Sequence, residues 1–291
     1  MKVAVYGRSI RAKNFKKFFS VFSTCMANHN IEFEVVSTFN DFISKEYDLE
    51  CVECSHKLSP SDYTCLISLG GDGTMLDTLE LVKDSGLPVM GINLGRLGFL
   101  ANIKMEEIEI AVEALKQNNV DIESRTVLTV QSSDKDLIKF PYALNDFVVQ
   151  KRDTSAMITV KAHLNGDFLN NYWADGLIVS TPTGSSGYNL SCGGPLIFPG
   201  SQAFVITPIA AHNLTVRPAV VPDSTSLEIN ISSRSKHVLI TLDSRSVKLP
   251  SNSSLVIKRA DFQYKMIRLK GNTYMDTIRN KLLWGADARD K

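Results

Sequence analysis

The 291-residue chain carries 32 Lys and Arg against 31 Asp and Glu, a formal net charge of +1, and is 44% hydrophobic and 22% charged. These fractions are ordinary for globular proteins and point away from disordered, collagen-like or membrane-embedded chains. The balanced charge offers no electrostatic footprint for nucleic acid or an anionic membrane. At roughly 100 to 200 residues per domain, the length predicts two domains.

The apolar run at the N-terminus breaks after a few residues and has no small-residue cleavage site, so it reads as a strand followed by a helix rather than a signal peptide. No later apolar stretch reaches the length of a membrane span. A cytoplasmic protein with no membrane partner is expected.

Lys2 to Tyr6 reads as a strand, Phe15, Phe18, Phe19, Phe22, Cys25 and Met26 recur at helical spacing, and Ile31 to Val36 forms a second strand. The alternation continues through a strand at Tyr63 to Leu69, a helix from Thr74 to about Lys83, a strand at Pro88 to Asn93 and an acidic helix from Met105 to about Gln117. Such a rhythm predicts an α/β domain with a parallel sheet covered by helices.

Near Ile122 the rhythm changes to short β-rich runs, among them Val127 to Gln131, Tyr142 to Gln150, Met157 to Leu164 and Thr225 to Ile231. Asn165-Gly166, between Met157–Leu164 and Phe168–Trp173, is a two-residue hairpin signal because both residues tolerate positive φ. The second domain is expected to be mainly β. Asp276 to Trp284 looks helical again and is expected to return to the first domain, which gives residues 1–123 with 272–291 as one domain and 124–271 as the other.

Cys25, Cys51, Cys54, Cys65 and Cys192 make an odd count without a secretory signal, so free thiols are expected. Cys51 and Cys54 form a C-x-x-C near His56. There is no second pair at zinc-site spacing, and Ser55 breaks the haem-attachment pattern.

The sharpest chemical feature is LISLGGDGTMLDT, residues 66 to 78, where a buried strand runs through a Gly-rich turn into a helix. Gly70, Gly71 and Gly73 remove side chains that would hold a polyphosphate off the backbone. The helix start adds unpaired N–H groups and the positive dipole end. Thr74 is expected to cap the helix, with Asp77 completing a capping-box pair. Asp72 is the anomaly, since a carboxylate beside phosphates is unfavourable unless it binds the accompanying cation or takes a proton from an attacking hydroxyl. Asp-Gly is also a common turn dipeptide. No Lys-Ser or Lys-Thr follows at Walker A spacing, and Leu76 occupies the last glycine position of the dinucleotide fingerprint.

The second feature, residues 174 to 195, reads ADGLIVSTPTGSSGYNLSCGGP. A short strand at Leu177 to Val179 leads into a loop where Ser180, Thr181, Thr183, Ser185 and Ser186 place hydroxyls among glycines, a composition able to approach a nucleotide closely or to serve as an ordinary polar loop. Tyr188 offers a flat face for a base and Asp175 an acceptor for ribose hydroxyls or an exocyclic amine. In ALNDFVVQ, Asn145-Asp146 interrupts a strand pattern, which suggests a bulge or binding edge. Residues 93 to 100, NLGRLGFL, form a Gly-punctuated loop whose Phe99 can pack against a ligand or the core.

Taken together these residues resemble the NAD kinase family over nearly the whole chain. The resemblance rests on Gly70, Gly71, Asp72, Gly73 and Thr74, on Asn93 to Leu100, on Asn145-Asp146, on Asp175 to Pro195 and on the closing Asn280 to Gly285. Only the first motif is shared with diacylglycerol and sphingosine kinases and, more loosely, phosphofructokinases.

The resemblance implies a two-domain protein with NAD bound between an α/β and a β-rich domain, an ATP donor, and a homodimer or homotetramer. By carry-over, Asp72 activates the adenosine 2′-hydroxyl. Gly73 and Phe99 line the acceptor site, and Asn145, Asp146, Asp175, Ser186, Gly187, Tyr188 and Ser191 hold the dinucleotide, with Ala210 and His212 at the nicotinamide end. Ser186-Gly187-Tyr188 departs from the more frequent Thr-Ala-Tyr, Trp173 stands where many bacterial members carry Arg, and Asp243-Ser244-Arg245 replaces the common Asp-Gly-Gln.

Phosphoryl transfer asks mainly for positioning and charge neutralisation. No cluster of carboxylates forms a metal cage in the sequence, so Mg²⁺ or another divalent cation is expected to arrive with ATP. Arg217, Lys151 and Arg152 are candidates for extra positive charge. A lipid kinase would need a membrane-docking face, and no basic amphipathic helix supplies one. A non-catalytic NAD sensor would be expected to lack Asp72.

Overall fold

The computed structural model describes residues 1–8, 15–54, 57–95, 97–132, 137–152 and 157–284; His56, Arg96 and Gly285 lie outside the described residues. The chain divides into two compact units, Met1–Ser124 with Tyr264–Lys291, and Arg125–Gln263.

The first unit begins with β1 (Lys2–Gly7), α1 (Phe15–Asn28), β2 (Glu32–Val35), α2 (Ser37–Tyr47), β3 (Leu66–Gly70), α3 (Asp72–Val82), β4 (Val89–Asn93), β5 (Ile103–Lys104), a 3-10 turn (Met105–Glu107) and α4 (Ile108–Lys116). β1 pairs in parallel with β2 and β3, and β3 with β4. β3 and β4 are buried at every position, as strands covered on both faces must be.

The inner face of α1 is the predicted one: Phe15, Phe18, Phe19, Phe22, Cys25 and Met26 are all buried. Burying a Phe contributes about 1.5 to 3 kcal/mol relative to leaving it exposed, so this stripe anchors the helix. The periodicity leaves α2 unassigned, although Phe39 and Ile43 are buried against the same core.

The second unit contains β6 (Val120–Ser132, which starts in the first unit), β7 (Tyr142–Ala143), β8 (Asp146–Lys151), β9 (Ile158–Leu164), β10 (Asp167–Ala174), β11 (Gly176–Ser180), α5 (Tyr188–Ser191), β12 (Ala203–Ile209), β13 (Ala219–Pro222), β14 (Leu227–Ser233), β15 (His237–Leu242) and β16 (Arg245–Pro250). A six-stranded antiparallel sheet runs β13-β12-β11-β8-β15-β16. β9 and β10 form the expected hairpin, with Asn165 and Gly166 at φ 52° and 90°, the signs a type I′ turn requires.

β17 (Ser254–Leu269) opens in the second unit, where it pairs with β14, and ends in the first, where Met266 and Ile267 lie parallel to Val89 and Met90. α6 (Tyr274–Leu282) follows, capped by Thr273, whose Oγ1 accepts the N–H of Asp276 at 3.1 Å. Among the described residues no helix is long and apolar enough to cross a membrane.

Candidate active site

In the first unit the Gly-rich turn leads directly into α3, which starts two residues earlier than the sequence predicts. Gly71 is the N-cap and Asp72 the first helical residue. Thr74 therefore sits in the first turn, is buried, and does not cap the helix; its N–H donates to Gly71 O at 3.0 Å. A Cβ on Gly70 would meet Thr74 Cβ at 2.8 Å, so the glycine at 70 makes room for this threonine. Asp77 completes no capping box. Its carboxylate binds Arg8, with Nε–Oδ2 at 2.7 Å and a second bond to Oδ1 at 3.1 Å, and Tyr6 Oη donates to it at 3.4 Å.

Gly71 faces open space, and a Cβ on Gly73 would lie 3.5 Å from the Arg8 guanidinium. Arg8 thus stands beside the turn with its charge paired to Asp77, a placement the sequence does not reveal because Arg8 follows a strand 65 positions upstream of Gly73. The helix-start N–H groups and the positive end of the α3 dipole make this corner attractive to an anion.

Asp72 is partly buried and fully oriented. Its Oδ2 accepts the Phe99 N–H at 2.8 Å, and Oδ1 accepts those of Leu100 and Ala101 at 2.9 and 3.0 Å. A carboxylate has about four lone-pair sites, so among the described residues three donors leave one on Oδ2 for an outside proton. The loop that presents these amides is tied down by Asn93, whose Oδ1 accepts the Gly95 N–H at 2.7 Å and whose Nδ2 donates to Ala101 O at 3.3 Å.

Gly98 is the close-approach position of this loop: a Cβ there would lie 2.5 Å from Asp72 Cγ. Phe99 is half-buried with its ring 6.4 Å from that of Tyr274 on α6. The C-terminal helix thereby packs beside the loop that holds Asp72.

In the second unit Asn145-Asp146 breaks the strand predicted over Tyr142 to Gln150 into β7 and β8. The reason is Asp243, whose buried carboxylate accepts the N–H groups of Leu144 at 2.9 Å, Asn145 at 2.7 Å and Asp146 at 3.3 Å. Each unit thus uses one carboxylate to gather three consecutive backbone amides. Asp146 is itself buried, and burial together with the neighbouring Asp243 pushes its carboxyl up to about 7.

The segment after β11 is knitted to Asn145. Thr181 N–H donates to Asn145 O at 2.9 Å, Thr181 Oγ1 donates to Leu144 O at 2.5 Å, and a Cβ on Gly184 would lie 2.7 Å from Asn145 Cα. Several hydroxyls expected to face a nucleotide are spent on the loop itself. Ser180 Oγ donates to Thr181 O at 3.0 Å, and Ser185 Oγ donates to Pro182 O at 2.7 Å while accepting the Ile197 N–H at 2.9 Å. Asn189, buried and missed by sequence reasoning, donates to Ser185 O and Pro195 O at 3.0 Å and accepts from Thr207 Oγ1 at 2.6 Å.

Ser186, Gly187, Tyr188 and Ser191 lie at the surface end of this loop, Ser186 partly and the others clearly exposed. Burial and then Cys192 raise the Tyr188 hydroxyl, with Asp146 and Asp175 adding to the shift, so the ring lies within electrostatic reach of both acids. Asp175 pairs with Lys151 at 2.7 Å. Lys151 is therefore a partner of the acid rather than a separate cation, and Arg217 donates to Leu214 O and Val216 O of its own loop. Ala210 holds φ 47°, unusual for a residue with a Cβ. His212 donates its N–H to Trp173 O at 2.8 Å and its ring meets the Trp173 indole edge to face at 4.4 Å.

Residues 20–120 match the family model for the ATP-NAD kinase N-terminal domain and residues 144–269 that for the C-terminal domain. The NAD kinase of Flavobacterium johnsoniae is 41% identical over 301 residues, covering 100% of both chains. That of Bacteroides fragilis is 39% identical over 99% of this chain and 100% of its own. Among solved structures, yeast NADH kinase complexed with NADH aligns with a TM-score of 0.87 at 20% identity, covering 99% of this chain and 88% of that one. An NAD kinase from Archaeoglobus fulgidus in complex with ATP aligns with a TM-score of 0.75 at 22% identity, covering 97% and 99%. At these identities the two structures speak for the fold, while the sequence matches run through both units in order: the chain belongs to the NAD kinase family of ATP-dependent phosphotransferases.

Proposed function

We propose that Asp72 is the general base of the reaction, taking the proton of the adenosine 2′-hydroxyl of NAD as that oxygen attacks the γ-phosphorus of ATP, with NADP and ADP as products. The observation that carries this reading is the carboxylate held by three backbone amides with, among the described residues, one lone-pair site left on Oδ2. A ribose hydroxyl barely ionises at neutral pH, and a positioned base is worth about 10² to 10⁴ in rate.

Gly70, Gly71, Gly73 and Thr74 form the phosphate turn, helped by the α3 N-terminus. The divalent cation travels with ATP and offsets charge on the polyphosphate. At the turn the Asp77 carboxylate is paired with Arg8. Gly73 and Phe99 border the acceptor hydroxyl. Asn145, Asp146, Asp175, Ser186, Gly187, Tyr188 and Ser191 hold the dinucleotide, with Ala210 and His212 at its nicotinamide end. The enzyme works in the cytoplasm as a homodimer or homotetramer.

The test is direct: purified protein with NAD, ATP and Mg²⁺, the product read by an NADP-specific dehydrogenase. Product formed by wild type and lost in a folded Asp72→Asn variant supports the assignment; turnover retained by that variant removes it.

A further inference from the structure

We propose that Cys25, His29 and Glu109 form a site for a thiophilic divalent cation of the zinc type, using none of the residues assigned to phosphoryl transfer. Cys25 lies near the end of α1 and His29 one turn further on, the helical hydrogen bond from His29 N–H to Cys25 O still present at 3.2 Å. Glu109 and Glu113 stand one turn apart on α4. Positions four apart share a helix face, so each helix presents a pair to the other. The Cys25 sulfur, a His29 ring nitrogen and a Glu109 oxygen all lie within 4.8 Å of one another. Tetrahedral zinc with these donors holds them about 3.3 to 3.6 Å apart. Glu109, 63% exposed, has room to rotate so that the sulfur closes in and the 2.9 Å contact between Nε2 and Oε1 opens to this spacing.

The hydrogen bonding around His29 calls for a cation. Nδ1 lies 3.0 Å from Glu113 Oε2 and Nε2 lies 2.9 Å from Glu109 Oε1. A neutral imidazole owns one N–H and can satisfy one carboxylate only. With Nδ1–H given to Glu113, Nε2 presents its lone pair beside the Glu109 carboxylate, a pair of acceptors that a cation would bridge. That cation is either a second proton or a metal. The buried Cys25 thiol at the same point favours a metal that takes sulfur, and a carboxylate behind the distal ring nitrogen is the arrangement that orients metal-binding histidines. On binding, the Cys25 S–H bond breaks, its proton leaves to solvent and the thiolate joins the metal. Solvent reaches the site past Glu109, and water completes the coordination.

The experiment uses the full chain, stripped of metal with a chelator and free of nucleotide, titrated with Zn²⁺ against a chromophoric chelator and with Co²⁺ by visible absorption. One equivalent should bind saturably, and Co²⁺ should show a thiolate charge-transfer band that Cys25→Ser abolishes. Glu113→Gln should weaken Zn²⁺ by about 10- to 100-fold, Glu109→Gln by at least as much, and NADP formation with Mg²⁺ and ATP should stay at the wild-type rate in both. Because these glutamate side chains are 63% and 43% exposed, their variants test the site even if a change at buried Cys25 impairs folding. Absence of stoichiometric binding would overturn the proposal. Binding indifferent to both Glu variants would overturn it too, assigning the metal to other thiols.

Discussion

Replacing Asp72 by Asn tests two duties of one carboxylate. In the native protein two oxygens serve three backbone N–H groups. An amide keeps one oxygen, and if that oxygen stays with Leu100 and Ala101, its NH₂ faces the N–H of Phe99, donor against donor. Hydrogen bonds to a charged acceptor contribute about 1.5 to 3 kcal/mol, bonds between neutral groups about 0.5 to 1.5, and an orphaned buried donor costs about 1 to 3. For a partly buried acid the combined loss is about 2 to 4 kcal/mol. At about 2 to 4 °C per kcal/mol for a unit of this size, melting should fall by roughly 5 to 15 °C. Turnover should fall by about 10² to 10⁴ if the base is gone. Calorimetry and the coupled NADP assay, run on the same folded preparation, read the two effects separately. Unchanged melting would refute the clamp on residues 99–101, and wild-type turnover would refute the base. Recovery of turnover at raised Mg²⁺ would move Asp72 from proton transfer to cation binding.

Three further outcomes follow from the same geometry. Gly98→Ala keeps the Asp72 charge but drives a methyl group into its carboxylate; a displacement of about 1 Å should lower kcat by about 10²-fold with KM for NAD little changed, and wild-type kcat would show that the orientation is unimportant. Asp175→Ala should raise KM for NAD by roughly 10- to 100-fold, from the loss of about 1.5 to 3 kcal/mol of hydrogen bonding, while KM for ATP holds; Lys151→Met, which removes only the ion-pair partner, should do less, and equal effects would reduce Asp175 to a structural anchor. Asp146, raised from an ordinary 3.8 to about 7, binds its proton more tightly in the folded chain. Its contribution to stability is therefore complete below about pH 4 and is lost as pH rises through about 7, a change of order 4 kcal/mol at about 1.36 kcal/mol per pH unit. Asp146→Asn should flatten the denaturant midpoint between pH 5 and pH 8, and parallel profiles for variant and wild type would contradict the buried, raised carboxyl.

Much of the first unit was legible in the chain because its strands and helices carry their own periodicity. The Phe stripe of α1 and the apolar runs of β3 and β4 need no partner to be recognised. α2 escaped because its few apolar residues are set among polar ones and only the core they meet gives them meaning. The start of α3 was misplaced by two residues for a related reason. Asp72 and Gly73 have poor helical preferences, and what holds them in the first turn is the contact of the carboxylate with residues 99–101.

Local preferences along the chain account for the alternation of elements, the Asn-Gly hairpin, the Gly-rich turn with its acid and each of the motifs that mark the family. Each of these is local, a matter of backbone preference and spacing within a dozen or so residues. Tertiary structure decided which groups face one another: Arg8 beside Gly73, Gly98 against Asp72, Asp243 under Asn145 and Asp146, and His29 between Glu109 and Glu113. Those pairs lie between 26 and 98 positions apart in the chain, and a hydrogen bond or a steric limit acts over about 3 Å of space whatever the separation in sequence. No local pattern encodes such a meeting; the packing of strands and helices against a common core creates it.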